Sequence, residues 1–197
     1  RGLGDVYKRQ HLNYDAAHVA GLSGGGLFQY PLREGIETMT MSTHKTLFGP
    51  QGGLVLGFEK HAESIKKAMF PGLTSSHHIH HMAAKAVAFA EALEFGKDYA
   101  SQTIKNAKTL AAELSNIGFK VLGEKNGYTE SHQTVVNVLD YGDGGKIEAD
   151  LEKANIIVNR QLIPGHLKAK RHYMHPGGIR LGTSEITRLG MNESEMK

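Results

Sequence analysis

The 197-residue chain contains no cysteine. Disulfide bonds, thiolate nucleophiles and cysteine-ligated metals are therefore excluded, and the composition favours a reducing, cytoplasmic location. No apolar run approaches the ~18 residues of a membrane-spanning helix, and no signal-peptide segment lies near the start. We therefore expect no membrane partner. An excess of one charge is also missing, because 23 Lys and Arg are interspersed with 20 Asp and Glu for a net charge of +3. No nucleic-acid partner is indicated.

A hydrophobic fraction of 40% with 22% charged residues is typical of a folded protein with a core. The apolar periodicity predicts strands at 11–15, 36–42, 54–56, 119–122, 134–139, 156–158 and 179–181. It predicts helices at 59–69, 77–95, 98–117 and 146–154. This order indicates an α/β domain at 11–97 followed by a smaller α/β domain at 98–197, joined near Gly96.

Both ends of the chain suggest a piece of a longer protein. Residues 1–10 show no periodicity and are interpreted as a tail that is not native to the rest. Near the other end, Asn192 and Glu195 have the spacing of a capping box, which predicts that a helix begins there. We therefore expect a fragment.

Lys45 is the first candidate catalytic residue. It lies in Ser42-Thr43-His44-Lys45-Thr46, directly after a predicted strand and before a Gly-Pro-Gln-Gly-Gly turn. A lysine at a strand end, beside hydroxyls and a histidine, is placed like a lysine that forms a Schiff base. A solvated loop lysine is the alternative.

Asp15 and Arg180 are further candidates. Asp15 ends the first predicted strand, where α/β proteins bind ligands, and its carboxylate could hold the pyridinium nitrogen of pyridoxal phosphate. Arg180 lies on a short strand between glycines, and its guanidinium could bind a substrate carboxylate through two bonds. The alternatives are an aspartate that caps a turn and a surface arginine paired with a nearby acid.

Six segments resemble the serine hydroxymethyltransferase family, also called glycine hydroxymethyltransferase. They are YDAAHVAGL (14–22), MSTHKTLFGPQGG (41–53), FPG (70–72), AAKAVAFAEAL (83–93), ANIIVNRQLIPG (154–165) and GGIRLGTSEITRLGM (177–191). The resemblance implies an aspartate-aminotransferase-like (fold type I) pyridoxal-phosphate transferase. Residues 11–97 then correspond to the second half of the cofactor-binding large domain, and 98–197 to a truncated small domain.

The same resemblance implies that serine and glycine are interconverted, with one-carbon transfer to or from tetrahydrofolate or a related pterin. The parent is expected to be a homodimer or larger. The family's N-terminal half, which supplies part of the site, is not represented. The 197 residues alone are therefore expected to be inactive.

Residue roles carry over where the motifs match. Lys45 corresponds to the lysine that holds the cofactor covalently, Asp15 to the partner of the pyridine nitrogen, and His18 to a histidine near the ring hydroxyl. Ser42 and His44 correspond to polar residues that position the cofactor. Lys45, His18 and His44 are expected to be catalytic.

Arg180 corresponds to the arginine that binds the substrate carboxylate. Other positions depart from the family pattern. Gln51 replaces a common arginine, and Ser75 and Ser76 replace a glycine pair that binds phosphate. The segments 159–161 and 172–175 also differ near the pterin, so the carrier stays open between tetrahydrofolate and a modified pterin.

Three alternatives compete with this interpretation. The run His77-His78-Ile79-His80-His81 has metal-chelating spacings on a predicted helix. We assign no metal site, because no carboxylate lies nearby in sequence and a loop or subunit interface explains the run. Another enzyme of the same fold, such as a threonine aldolase, shares the Asp, His and Lys. A non-catalytic remnant acting as an interaction module is the third alternative.

Overall fold

The computed structural model describes residues 11–166 and 168–197. The predicted tail at 1–10 lies outside these residues. The chain divides into two compact units, of which the first ends at Asp98 and the second is Tyr99–Lys197. The strands are β1 (Asn13–Asp15), β2 (Thr38–Ser42), β3 (Gly53–Gly57), β4 (Lys120–Val121), β5 (Gln133–Asn137), β6 (Asn159–Gln161) and β7 (Gly178–Gly182). The α-helices are α1 (Ala20–Gly24), α2 (Ala62–Lys67), α3 (Ile79–Asn116), α4 (Gly144–Lys153) and α5 (Ser184–Arg188).

The first unit contains a three-stranded sheet in the order β1-β2-β3. β1 is parallel to β2, and β3 is antiparallel to β2. The alternating β2 sequence TMTMS puts Met39 and Met41 into a core with Ala16, Ala20 and Leu47. Since successive side chains of a strand point to opposite faces, the β2 hydroxyl residues occupy the other face. The predicted α/β character and these three strands are confirmed.

One continuous helix replaces the two predicted at 77–95 and 98–117. α3 runs through Gly96 from Ile79 to Asn116. A glycine inside a helix costs only about 1 kcal/mol relative to alanine. Gly96 is not among the described glycines with positive φ, so its backbone continues the helix. The prediction of a break was wrong because the flanking residues favour helix on both sides.

The predicted helix at 59–69 is divided into shorter pieces. A 3₁₀ turn at Glu59–His61 leads into α2, which is followed by a wide helical turn at Ala68–Leu73. Phe70 leaves the helical conformation with φ −141° and ψ 127°. The next residue is Pro71, and a residue before proline is driven away from helical dihedrals.

The second unit contains a four-stranded antiparallel sheet in the order β4-β5-β7-β6. Its core comprises Ala111, Val121, Val136, Val138, Val158 and Ile179. The strand predicted at 156–158 is wrong, because the chain is still leaving α4 there: Asn155 adopts a left-handed conformation with φ 61°. Ile157 is 77% exposed, and pairing begins only at Asn159.

Side-chain caps define the start of α4. The carboxylate of Asp143 accepts hydrogen bonds from the backbone N–H groups of Gly145 and Lys146 at 2.9 and 3.1 Å. These bonds are the main reason that the pKa of Asp143 lies below its ordinary value. The helix therefore begins two residues before the predicted start.

The capping-box contact predicted near the end is formed without a helix. The side chain of Glu195 accepts a hydrogen bond from the Asn192 N–H at 2.8 Å. Residues 193–196 nevertheless form a turn, so the predicted helix start is wrong for the described residues. Within residues 11–166 and 168–197, no helix is long and apolar enough to span a membrane.

Candidate active site

The parallel pair β1 and β2 brings polar side chains to one edge of the three-stranded sheet. Asp15 at the end of β1 is opposite Thr40 of β2, and β2 ends two residues later at Ser42. Thr40 and Ser42 share a face, and Asp15 lies beside Thr40 on that face. The Asp15 carboxylate accepts a hydrogen bond from the Ala17 N–H at 2.9 Å. This bond orients the carboxylate and uses only one of its oxygens.

The loop after β2 is fixed by the buried hydroxyl of Thr43. Its Oγ1 donates to the Pro50 carbonyl at 2.7 Å, and its carbonyl accepts from the Gly49 N–H at 2.6 Å. The Thr43 N–H donates to the Gly52 carbonyl at 3.0 Å. These bonds close the Gly-Pro-Gln-Gly-Gly turn against the segment that carries Lys45. The turn was predicted, whereas its dependence on Thr43 was not.

A second buried hydroxyl joins this loop to the segment after β1. Thr46 Oγ1 donates to the His18 carbonyl at 3.0 Å and accepts from the Gly21 N–H at 3.0 Å. The two backbones approach so closely that a Cβ at Gly21 would lie 1.9 Å from the Thr46 carbonyl oxygen. Glycine is therefore required at position 21 for this contact.

The contact between the two segments brings Lys45 and His18 together. Lys45 Nζ lies 3.3 Å from His18 Nε2, and both side chains are exposed in the described part of the chain. An imidazole at this distance can accept a proton from an ammonium group, which leaves a nucleophilic amine. The two residues are separated by 27 positions in sequence.

His44 and Ser42 flank Lys45 on the same loop. His44 Nδ1 lies 3.3 Å from the Gly52 nitrogen, so a ring with an unprotonated Nδ1 accepts that N–H. This contact orients the imidazole from the turn, and the ring itself is exposed. Ser42 is half-buried at the end of β2.

Lys85 of α3 also supports this turn, although the sequence analysis did not single it out. Its Nζ donates to the Gly53 carbonyl at 3.2 Å. A Cβ at Gly52 would lie 2.7 Å from the same nitrogen. No local pattern could identify this contact, since 32 residues separate Lys85 from Gly53.

Arg180 belongs to the second unit and lies in the central strand pair β5–β7. It is opposite Val135 of β5 on one side and Asn159 of β6 on the other. Its half-buried guanidinium donates one hydrogen bond to Asn159 Oδ1 at 3.2 Å. Within the described residues it forms no ion pair, so it retains donors for an added carboxylate.

The histidine run does not adopt the helical spacing that the metal alternative requires. α3 begins at Ile79, so His77 and His78 precede it. The rings of His78, His80 and His81 pack against one another, with centroids 4.4–5.6 Å apart. Desolvation, followed by the neighbouring cationic groups, holds the pKa of His81 below its ordinary value.

A cavity of about 500 Å³ lies on the methionine face of the three-stranded sheet. Its apolar lining includes Met39, Met41, Leu54 and Phe89. None of the predicted cofactor residues lines it. The polar edge around Lys45 and this cavity are therefore separate features of the first unit.

The observed α/β architecture, with mixed and antiparallel sheets, is compatible with the predicted class of transferase. A family model described as serine hydroxymethyltransferase matches residues 4–197. The chain therefore belongs to the serine hydroxymethyltransferase family.

Curated relatives named serine hydroxymethyltransferase agree with this assignment. The relative from Nitrosopumilus maritimus is 78% identical over 95% of this chain and 42% of its own length. The relative from Cenarchaeum symbiosum is 77% identical over 94% of this chain and 42% of its own length. The relative from Korarchaeum cryptofilum is 55% identical over 94% of this chain and 43% of its own length. The chain thus spans less than half the length of these relatives. The family prediction made from six sequence segments is confirmed.

Proposed function

We propose that the protein containing this chain interconverts serine and glycine, with a reduced pterin as one-carbon carrier and pyridoxal phosphate as cofactor. The family assignment supports this reaction over threonine aldolase or a non-catalytic remnant. The observation that carries the proposal is the 3.3 Å approach of Lys45 Nζ to His18 Nε2 at the sheet edge that also bears Asp15.

The residues present fit the cofactor's chemistry. Lys45 provides the amine for the aldehyde, and Asp15 provides a carboxylate with one oxygen not used by Ala17. His18, Ser42 and His44 add imidazole and hydroxyl groups on the same two connected segments. When bound, pyridoxal phosphate supplies a reactive aldehyde and an electron-withdrawing ring.

Proton movement between Lys45 and His18 prepares the amine. An ammonium group is not nucleophilic, so Lys45 must lose a proton before it attacks an aldehyde. His18 Nε2 is within reach to accept that proton. His44, oriented by Gly52, lies one residue away in sequence and adds a second imidazole on the same loop.

The charges of Asp15 and Arg180 indicate what these two residues bind. The Asp15 carboxylate stabilises a protonated pyridine nitrogen by charge. Arg180 binds the carboxylate of serine or glycine, since a guanidinium can make two parallel hydrogen bonds to it. The bond to Asn159 orients the arginine while leaving its other donors available.

The finer features of the parent protein are also proposals. Residues 11–97 form the second half of a fold type I large domain, and 98–197 form part of the small domain. The parent is a homodimer or larger, and the absence of cysteine supports a cytoplasmic location. Tetrahydrofolate and a modified pterin are both retained as candidate carriers.

Selective labelling of Lys45 tests the proposed cofactor site. The chain is mixed with pyridoxal phosphate, reduced with borohydride and digested, and peptide mass spectrometry locates the modified lysines. We expect Lys45 to be labelled faster than Lys85, which lies on α3, contacts the same turn and serves as an internal reference. His18→Gln should slow labelling at Lys45 about tenfold or more, because a proton acceptor is lost.

Serine provides the second arm of this experiment. Its amine competes with Lys45 for the aldehyde, so added serine should reduce labelling at Lys45. In the protein that contains this chain, Arg180→Ala should weaken serine binding, whereas Arg188→Ala should preserve it. Equal labelling of Lys45 and Lys85, unchanged in His18→Gln, would contradict the proposal.

A further inference from the structure

A second group of polar side chains lies at the opposite edge of the three-stranded sheet. It consists of His11 before β1, Glu37 before β2 and His61 after β3. One ligand atom from each residue lies within 4.8 Å of the other two. The five residues of β2, about 16 Å of extended chain, separate Glu37 from the Lys45 loop. This cluster is therefore distinct from the proposed cofactor site.

The hydrogen bonds around His11 determine which of its ring nitrogens carries a hydrogen, and they place the Nδ1 lone pair against a carboxylate. Thr38 Oγ1 donates to Asn13 Oδ1 at 2.9 Å and has no second proton to donate. His11 Nε2, 2.9 Å from that oxygen, must therefore carry a hydrogen and donate it. In a neutral ring, His11 Nδ1 then presents a lone pair to Glu37 Oε2 at 2.7 Å. A cation, either a proton or a metal ion, is needed between them.

His61 presents a second unsatisfied nitrogen to the same carboxylate. Its Nε2 is shielded from water and has no hydrogen-bond partner among the described residues. The nearest Glu37 oxygen is Oε1, at 3.6 Å. The His11 and His61 rings stand edge to face, 4.8 Å apart between centroids. Both imidazoles therefore converge on Glu37.

We propose that His11, Glu37 and His61 bind a divalent transition-metal ion of the zinc type. Two imidazoles and a carboxylate are a common zinc donor set, and water completes the tetrahedron at a partly exposed site. Zinc bonds of about 2.0–2.2 Å place tetrahedral ligands about 3.3 Å apart, so small side-chain shifts suffice. The Thr38 contact would hold His11 in the required tautomer.

The ammonium group of Lys60 competes with a metal ion for the carboxylate of Glu37. Its Nζ contacts Glu37 Oε1 in a close ion pair. The ammonium supplies positive charge to the carboxylate when no metal is present, and this charge opposes the binding of a metal ion to the same carboxylate. Removing this charge should therefore strengthen metal binding, which distinguishes a metal site from a purely structural ion-pair cluster.

Zinc titration against a chromophoric chelator tests the proposal. His77, His78, His80 and His81 are first changed to alanine in every protein, so that the exposed histidine run does not contribute. In this background we expect zinc binding that His61→Ala and Glu37→Gln each weaken by more than about tenfold. Lys60→Gln should strengthen binding about fivefold. Zinc should also raise the thermal midpoint of the background protein but not of Glu37→Gln.

Circular dichroism of each metal-free variant shows whether it is folded, and Lys60→Gln retains all three ligands. Absence of zinc binding in the background protein would overturn the proposal. It would also be overturned if binding persisted unchanged in His61→Ala and Glu37→Gln, since the metal would then bind elsewhere. The Lys45 labelling experiment uses no metal, so the two proposals fail independently.

Discussion

The two edges of the three-stranded sheet handle their polar groups in opposite ways. The Lys45 edge is the end of the sheet that bears Asp15, Ser42 and Lys45. There the buried hydroxyls of Thr43 and Thr46 form hydrogen bonds that fix the backbone, and the ionisable side chains are exposed. The Glu37 edge is the opposite end of the sheet, which bears His11, Glu37 and His61. There the ionisable groups contact one another, because Lys60 and both histidines lie against Glu37. Where hydrogen bonds of buried hydroxyls fix the backbone, the ionisable side chains can contact a ligand. Where ionisable side chains pair with one another, each depends on a partner of opposite charge.

This difference predicts different sensitivities. The Lys45 edge depends on close backbone packing and on neutral hydrogen bonds, which salt and pH scarcely affect. The Glu37 edge depends on charges that water and salt screen. Substitutions that alter packing should therefore damage the first edge strongly, and changes in protonation should affect the second edge modestly.

Gly21→Ala should give the largest effect. Its Cβ would lie 1.9 Å from the backbone oxygen of Thr46, which cannot rotate away. We expect the free energy of unfolding to fall by about 3 kcal/mol, as in strong overpacking, together with loss of selective Lys45 labelling. Urea denaturation measures the first effect. Gly24→Ala is the control, because a Cβ there meets nothing within 4 Å, and it should change stability by less than about 1 kcal/mol.

If Gly21→Ala were as stable as Gly24→Ala, the two segments would not be in backbone contact. The close approach that brings His18 to Lys45 would then be wrong, and with it the contrast between the two edges.

Thr46→Val should have an intermediate effect. The substitution keeps the shape of a fully buried side chain but removes the hydroxyl that joins His18 and Gly21. A buried N–H and a buried carbonyl lose their partner, which costs about 2 kcal/mol in total. Thermal or urea unfolding measures this loss. Thr46→Ser keeps the hydroxyl and should lose less than about 1 kcal/mol, so equal losses in the two variants would assign the effect to packing instead.

Local sequence patterns predicted the Lys45 edge well. The strand that ends at Ser42 and the following glycine turn are encoded within a dozen residues, so Lys45, His44 and Ser42 could be placed together from sequence. β1 and its terminal Asp15 were also found, since alternation and turn signals act locally. The family resemblance then connected His18 and Arg180 to the same function.

The Glu37 edge could not be predicted, because its three ligands come from segments that meet only in the folded sheet. His11, Glu37 and His61 show no spacing that a search along the chain would recognise. The run at 77–81 gave a stronger local metal signal, yet His77 and His78 precede the helix that the chelating spacings require. Similarly, the continuity of α3 through Gly96 depended on flanking residues that outweigh one glycine.

The smallest effect is expected from the protonation of Glu37. The hydrogen bond from Lys60 is the main reason that the pKa of Glu37 lies below its ordinary value of 4.5. Ionised Glu37 therefore stabilises the fold above that value, and this contribution disappears as pH falls through the lower pKa of the folded state.

Urea unfolding of the metal-free protein from about pH 6 to about pH 3 measures this contribution. Wild type should be more stable than Glu37→Gln at the upper end, and the difference should shrink below the ordinary pKa of 4.5. Lys60, together with His11 and His61 when they are protonated, faces Glu37, so added salt should reduce the same difference. Glu59→Gln, which changes an exposed neighbouring carboxylate, should follow the wild-type pH profile. A wild-type advantage that stayed constant to pH 3 would mean that the Glu37 edge is held by packing rather than by charge, as the Lys45 edge is.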